Sequence, residues 1–410
     1  MTGFVQTRLL DGLRVVEIAL FEAGGVGTVL ADLGADVVKI ERPGTGDPVR
    51  TAGWPFVEGV SLMHHHLGRG KRSVALDLAH PDGAALATRL MLGADVVVEG
   101  MRPGALDRRG LGAAALRARR PELVWCTVSG YGTTGPYARL AAHGLAFDAW
   151  AGLMTVTQTP EGHPSGSVRV PLGTRVTPLL AATSVLAAVL RARTSGAGAT
   201  LDIAEADAAM AVDWLTVEGH RAHERPESEV TGNPNDGGAR REPGTAGIGE
   251  SVRYQVYRSR DGHVLFMATE QKFWVNFCTA VGRPDLTGDG ATATSHAIGD
   301  HALRRELAGL FTQRSTVDWV ALGLAENFPV APVNDPRSLA DDPHFRHRNP
   351  WLPAAEYGAD LVGLPVHLVG ERLAPPAPAP AVGQHTDEVL RAAGVSDEDL
   401  HRLRAAGALA

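Results

Sequence analysis

Short runs of consecutive apolar residues, spaced by helical patterns, dominate the first third of the chain. Residues 14–18 (RVVEI), 36–40 (DVVKI), 73–78 (SVALDL), 94–98 (ADVVV) and 123–128 (LVWCTV) read as strands. Between them lie the helical pattern TVLADL, entered through the turn Gly24-Gly25-Val26-Gly27, a second from Pro81 to Leu92, and a polar one over 106–119. Strands that alternate with helices of about 10–15 residues predict βαβ units and a parallel, doubly wound sheet. Their apolar positions are consecutive rather than alternating, which fits strands covered on both faces. Residues 177–193 (TPLLAATSVLAAVLRAR) predict a long buried helix with Arg191 and Arg193 in its last turn.

The pattern then breaks. Residues 222–250 are polar, aperiodic and rich in proline and glycine, and read as a connector. A second unit opens near Tyr254 with a hairpin pattern around Arg260-Asp261-Gly262, followed by helical stretches at 273–281, 301–313 and 316–324. The strip APPAPAPAV (374–382) is extended and leads to a terminal helix starting near Thr386.

Composition narrows the classes. A length of 410 residues suggests two or three folding units. The formal charge of −7 argues against a nucleic-acid scaffold, which needs a concentrated basic surface. Two cysteines, Cys126 and Cys278, make a disulfide-stapled secreted fold an unsuitable reading and fit a reducing cytoplasm. The N-terminus lacks a basic segment followed by an apolar one, so no signal peptide is read, and the most apolar window, 179–190, is too short to span a bilayer.

Two local features invite chemistry and are weighed against plainer readings. A dinucleotide fingerprint needs three glycines. Here Gly25 and Gly27 supply two, Leu30 stands where the third belongs, and Glu41 at the end of the next strand is followed by Arg42. The plainer reading is a strand-to-helix turn. His64-His65-His66 cannot all face one metal on a helix, and in a strand only His64 and His66 would share a face, so a local, non-metal role is expected and no metal is assigned.

The stretch LDGLRVVEIALFEAGGVGTVLADLGADVVKIERPGTGDPVR resembles the opening of the family III CoA-transferases, which share a fold with the α-methylacyl-CoA racemases. The likeness continues through GRGKRSVALDL (68–78), GADVVVEGMRPGALDRRGL (93–111), VSGYGTTGPYA (128–138), AGLMTVT (151–157), FMATEQKFW (266–274), PVAPVND (329–335) and GQHTDEVL (383–390). It implies an α/β protein: a Rossmann-like large domain built from both chain ends and a smaller α+β domain, in a dimer of interlocked rings. The boundaries it suggests are 1–220 for the first part of the large domain, 221–250 for a linker, 251–335 for the small domain, and 336–410 for the return.

The resemblance also implies a ligand and roles. The substrate is a coenzyme A thioester, with no tightly bound cofactor, and a carboxylic acid as acceptor. Arg42 and Arg108 match arginines on the CoA side, and guanidinium groups suit its phosphates. Val74, Leu76 and Met101 match positions lining the CoA groove; Lys71 and Arg72 lie nearby. In the transferases an aspartate after a glycine, just before the long helix, attacks the thioester and forms a mixed anhydride. Here the text is VPLGTRVTPLL, and Thr174 stands at that position. Asp148 and Asp207 flank this stretch in sequence, but neither matches the motif. A threonine ester would hold the acyl group at low transfer potential, so transfer by another route is expected. His143 matches the racemase histidine, with Gly144 replacing the aspartate usually beside it, and Glu270 matches a small-domain glutamate that orients that histidine. α-Proton chemistry with His143 as base is therefore a second reading. A homodimer is expected, with a non-catalytic subunit paired to an Asp-bearing paralogue as the alternative.

Overall fold

The computed structural model describes residues 5–232, 248–288, 293–349 and 351–409. The chain divides into two compact units, one formed by residues 1–213 and 348–410, the other by residues 214–347.

The first unit is built on a six-stranded sheet. Its strands are β1 (Arg14–Ala19), β2 (Asp36–Glu41), β3 (Lys71–Ala75), β4 (Val96–Gly100), β5 (Val124–Ser129) and β6 (Thr200–Ala204). All neighbours pair parallel, in the order β6-β5-β4-β1-β2-β3. The helices of this unit include α1 (Gly25–Asp32), α2 (Leu62–Gly68), α3 (Pro81–Gly93), α4 (Ala113–Arg119), α5 (Leu145–Trp150), α6 (Leu172–Ser195) and α7 (Glu205–Val212). Successive strand residues point to opposite faces. Val16, Val38 and Val74 therefore pack with α3, α4 and the terminal helices Thr386–Ala392 and Asp397–Ala405. Val15, Val37 and Val96 pack with α1 and α6 on the other face. The consecutive apolar runs are explained by this double cover.

Several elements differ from the pattern reading for physical reasons. The third strand is Lys71–Ala75 rather than 73–78, because the Lys71 ammonium is buried against Glu17 and can occupy an interior position. The polar helix expected over 106–119 is split into a short 3-10 turn, Asp107–Arg109, and α4, since Gly110 turns the chain with φ +71°. α6 begins five residues before the expected start, so Thr174 lies inside its first turn. Among the described residues α6 is the one helix long and apolar enough to cross a membrane, and half of that stretch is buried. The pattern reading does not anticipate a helix at Asp397–Ala405, which is capped by Ser396 accepting from the Asp399 N–H.

The second unit carries an antiparallel sheet in which β7 (Tyr254–Arg258) and β8 (His263–Met267) form the hairpin around Arg260-Asp261-Gly262, and β9 (Val330–Pro332) joins β8. Three helices, Gln271–Ala280, His301–Phe311 and Thr316–Glu326, enclose an aromatic core of Tyr257, Phe266, Trp274, Phe277, Phe311, Trp319 and Phe328. Of the expected connector 222–250, residues 233–247 lie outside the described residues.

Candidate active site

Strand order decides where a ligand can enter the first unit. From β1 the chain winds outward to β2 and β3, then crosses back to place β4 on the other side of β1. The loops leaving β1 and β4 diverge, which opens a crevice at the carboxyl ends of those strands. A cleft of about 810 Å³ lies there. Its walls come from residues 20–23 after β1, 100–109 at and after β4, and 128–131 at the end of β5, together with His143, Gly144, Phe147, Thr174 and Glu205.

The glycine-rich turn below this cleft serves packing. Gly25 and Gly27 lie inside α1. A methyl group on Gly27 would stand 2.0 Å from Glu17 Oε2, and one on Gly25 would stand 2.8 Å from the Pro178 ring on α6. Glu17 is fully buried and accepts from Lys39 Nζ at 2.8 Å and from Lys71 Nζ at 2.9 Å. Lys39 also meets Asp47, at 2.9 Å, and Lys71 donates to the Gly24 carbonyl at 2.6 Å. Burial and the neighbouring Lys39 push Lys71 down to about 8 despite Glu17; Lys39 is raised, because Glu17 and Asp47 outweigh its burial. Glu41 is engaged as well: Arg50 and Ser73 donate to it and hold it at about 2 against its burial. These groups fix the turn after β1 and leave neither Glu41 nor Lys71 available to a nucleotide.

Thr174 is almost fully buried at the cleft wall, and its hydroxyl makes one long contact, 3.4 Å to the Pro171 carbonyl. The helix start that holds it is capped from α5: Asp148 Oδ1 accepts from Leu172 N at 2.7 Å and Gly173 N at 3.3 Å. Asp148 itself is wholly buried, and its Oδ2 has no partner among the described residues. His143 is exposed at the cleft rim, just before the N-cap residue Gly144. Gly144 adopts φ +38° and ψ −97°, a conformation strained for any side chain larger than hydrogen, which accounts for glycine there.

Of the sequence-derived residues the cleft thus gathers His143, Thr174, Met101 and Arg108. Arg42 is exposed at the end of β2 and does not line it. Val74 and Leu76 have side chains in the core beneath the sheet, 0% and 1% exposed, so no apolar groove contact comes from them. Arg72 is bound to Asp36 and Glu388. Glu270 belongs to the second unit, where Thr269 Oγ1 donates to it at 3.0 Å.

The three histidines lie on α2. His64 is buried, with Nε2 3.0 Å from Arg50 Nη1, and burial followed by Arg50 lowers it to about 4. His66 falls to about 4 through burial, then Arg69 and Arg175. Among the described residues no group of three metal-ligating side chains comes together.

Sequence reasoning missed several cleft residues. Arg102 and Arg109 line it beside Arg108, and Arg102 and Arg108 make no ion pair among the described residues. Glu205, first residue of α7, faces the same cleft as Glu22. Its carboxyl is pushed up to about 8, by burial first and then by Glu22 and Asp148. The available signal was position: a carboxylate directly after a parallel strand (LDIA-Glu205) stands at the ligand-bearing edge of such a sheet.

Residues 10–386 match the family-wide profile of CoA-transferase family III. This chain belongs to that family. The succinyl-CoA–D-citramalate CoA-transferase of Chloroflexus aurantiacus is 32% identical over 408 residues, 97% of each chain. The beta subunit of succinyl-CoA–L-malate CoA-transferase from the same organism is 28% identical, covering 98% of this chain and 99% of its own. A CAIB/BAIF family protein from Brucella suis superposes with a TM-score of 0.74 at 28% identity, over 95% of this chain and all of the other. The family III chain is therefore an enzyme of the CoA-transferase type acting on CoA thioesters, with a mixed α/β fold around a parallel sheet.

Proposed function

We propose that this enzyme moves coenzyme A from an acyl-CoA to a carboxylic acid by direct attack of the acceptor, without an acyl-enzyme at residue 174. The carrying observation is the cleft at the strand switch point, which combines Thr174 with the arginines 102, 108 and 109. An acceptor carboxylate oxygen attacks the thioester carbonyl carbon; the carbon–sulfur bond breaks and CoA leaves as thiolate. The thiolate then attacks the acceptor-derived carbonyl of the resulting mixed anhydride, and the donor acid leaves as carboxylate. The balance needs no oxidant and no net proton. Thr174 in this reading occupies the place of the family's nucleophilic aspartate and shapes the wall. Arg108 and Met101 contact CoA, with Arg42 nearer its adenine end and Val74 and Leu76 taking part through main chain only. Mixing the purified protein with an acyl-CoA and a panel of mono- and dicarboxylates, and following new thioesters by mass spectrometry, tests this. Transfer that survives Thr174→Ala is expected; its loss would mean that the hydroxyl reacts.

A second reading keeps His143 as a base for α-proton chemistry, oriented by Glu270, and is supported by His143 lining the same cleft. Deuterium uptake by a 2-methylacyl-CoA in deuterium oxide, lost in His143→Ala, would favour it.

The assembly we propose is a dimer of interlocked rings whose large domain uses both chain ends. Exposed apolar side chains on α6, among them Leu179 and Leu190, support a covered face. A homodimer is the simpler form; the beta-subunit relative supports a heterodimer with an Asp-bearing paralogue as the alternative. Two buried free thiols, Cys126 and Cys278, support a cytoplasmic setting.

A further inference from the structure

The cleft is lined by a serine hydroxyl and a carboxyl that make no hydrogen bond among the described residues. Ser129 ends β5 and pairs with Ala204 of β6 in the parallel ladder. Its Oγ is buried and has no hydrogen-bond partner among the described residues. Glu205 follows Ala204 directly, one residue beyond the ladder pair Ser129–Ala204, whose backbones lie about 5 Å apart. The Glu205 carboxyl makes no hydrogen bond or ion pair among the described residues, although both residues line the cleft. The main chain of Glu205 lies against the start of α6: its carbonyl oxygen would be 3.0 Å from a methyl group on Gly173, the neighbour of Thr174. A buried polar group is nearly always paired, so the unpaired Ser129 hydroxyl at the cleft marks where a ligand supplies the partner, and the half-buried Glu205 carboxyl stands at the same cleft.

The charges around Glu205 decide which ligand. Glu22 from the turn after β1 and Asp148 from α5 both raise its affinity for a proton. Asp207 on its own helix is exposed, and Asp202 of β6 is occupied by Thr133. α6 contributes Thr174 and Arg175, and the Arg175 charge is felt at His66. His143 and the arginines 102, 108 and 109 face the same cleft. Burial first, and then the Glu22 and Asp148 charges, push the Glu205 carboxyl up to about 8, which suits it to donating a proton at the cleft. A carboxylic acid and a carboxylate form a short, charge-assisted hydrogen bond, and a serine hydroxyl adds a second donor.

We propose that Glu205, as a neutral carboxylic acid beside Ser129, receives the carboxylate of the incoming acceptor and holds it next to Thr174. This rests on the transfer reading given under the proposed function. It makes Glu205 a binding and positioning residue and requires proton-linked acceptor binding.

The test is steady-state transfer from about pH 6 to about pH 9.5, varying acceptor and acyl-CoA separately. In the wild type the acceptor KM rises as the pH passes about 8, while the acyl-CoA KM stays flat. Glu205→Ala raises the acceptor KM by about tenfold or more. Glu205→Gln keeps an N–H donor, recovers much of that loss, and removes the pH dependence. If Glu205→Gln abolishes turnover while acyl-CoA still binds, Glu205 is a reacting carboxylate and the proposal is overturned. An acceptor KM untouched in Glu205→Ala overturns it too. Calorimetry with succinate as probe separates this from the functional reading. Proton uptake on binding near pH 8.5, absent in Glu205→Ala, supports the site even where no transfer is found; binding without proton uptake, or no binding, sinks it.

Discussion

Two carboxylates of the first unit, Glu17 and Glu205, stand close to the same edge of one sheet and have opposite surroundings. Glu17 lies between two ammonium groups, at 2.8 Å and 2.9 Å, with Asp47 completing an alternating cluster. Glu205 has Glu22 and Asp148 as charged neighbours and makes no ion pair among the described residues. Glu17 is fully buried and its carboxyl ties three strands and a turn through two lysines, whereas Glu205 is half-buried and pushed up to about 8. Oppositely charged partners mark the scaffold group, while burial, followed by like-charged neighbours, sets Glu205 apart for chemistry.

Removing the scaffold carboxylate is the harshest way to test that contrast. Glu17→Ala leaves Lys39 and Lys71 buried against each other, and a broken buried pair typically costs about 3–5 kcal/mol. Denaturant unfolding should show that loss, with α1 and the turn after β1 exchanging amide hydrogens first. A loss below about 1 kcal/mol would mean that the lysines relax to water, and that the network is weaker than its geometry implies.

The parallel sheet was legible because both faces of each strand are apolar, a signal carried by residues such as Val15 and Val16 together. What was not legible came from pairs distant in sequence. Nothing near Lys71 announces that Glu17, 54 positions away, makes it an interior residue. The glycines 25 and 27 look like a ligand turn until Glu17 and Pro178 are seen filling the space beside them. The site was half legible. His143, Thr174, Met101 and Arg108 fall on motif positions and do meet in the cleft. Glu205 and Ser129 reach the same cleft only through the pairing of β5 with β6, which sequence spacing does not announce.

A milder test reverses the sign of the effect. Glu205 has a folded value near 8, above its unfolded value of 4.5, so the native state binds more protons than the unfolded one between these values. Stability from this group is therefore fully present below about pH 4.5 and is lost as pH rises toward 8. Glu205→Gln removes the ionisable group, and should stabilise the protein by roughly 1–3 kcal/mol near pH 8 while changing little near pH 5. Melting curves at the two pH values check this. Equal shifts at both would show that Glu205 ionises freely and would erase the contrast with Glu17.

The smallest effect comes from adding charge rather than removing it. Gly144 lines the cleft at φ +38° and ψ −97°, outside the left-handed helical region, so Gly144→Asp carries backbone strain of about 1–3 kcal/mol. It also brings a further carboxylate to a cleft lined by Glu22 and Glu205. If like charges hold Glu205 in its acid form, the pH at which acceptor binding weakens should move up by a few tenths of a unit or more. The readout is the acceptor KM profile of Gly144→Asp beside that of Gly144→Asn, which carries the same strain without the charge. A profile displaced in the aspartate variant alone isolates the electrostatic part. Identical profiles would assign the raised affinity for a proton to burial alone and leave Glu22 and Asp148 as bystanders.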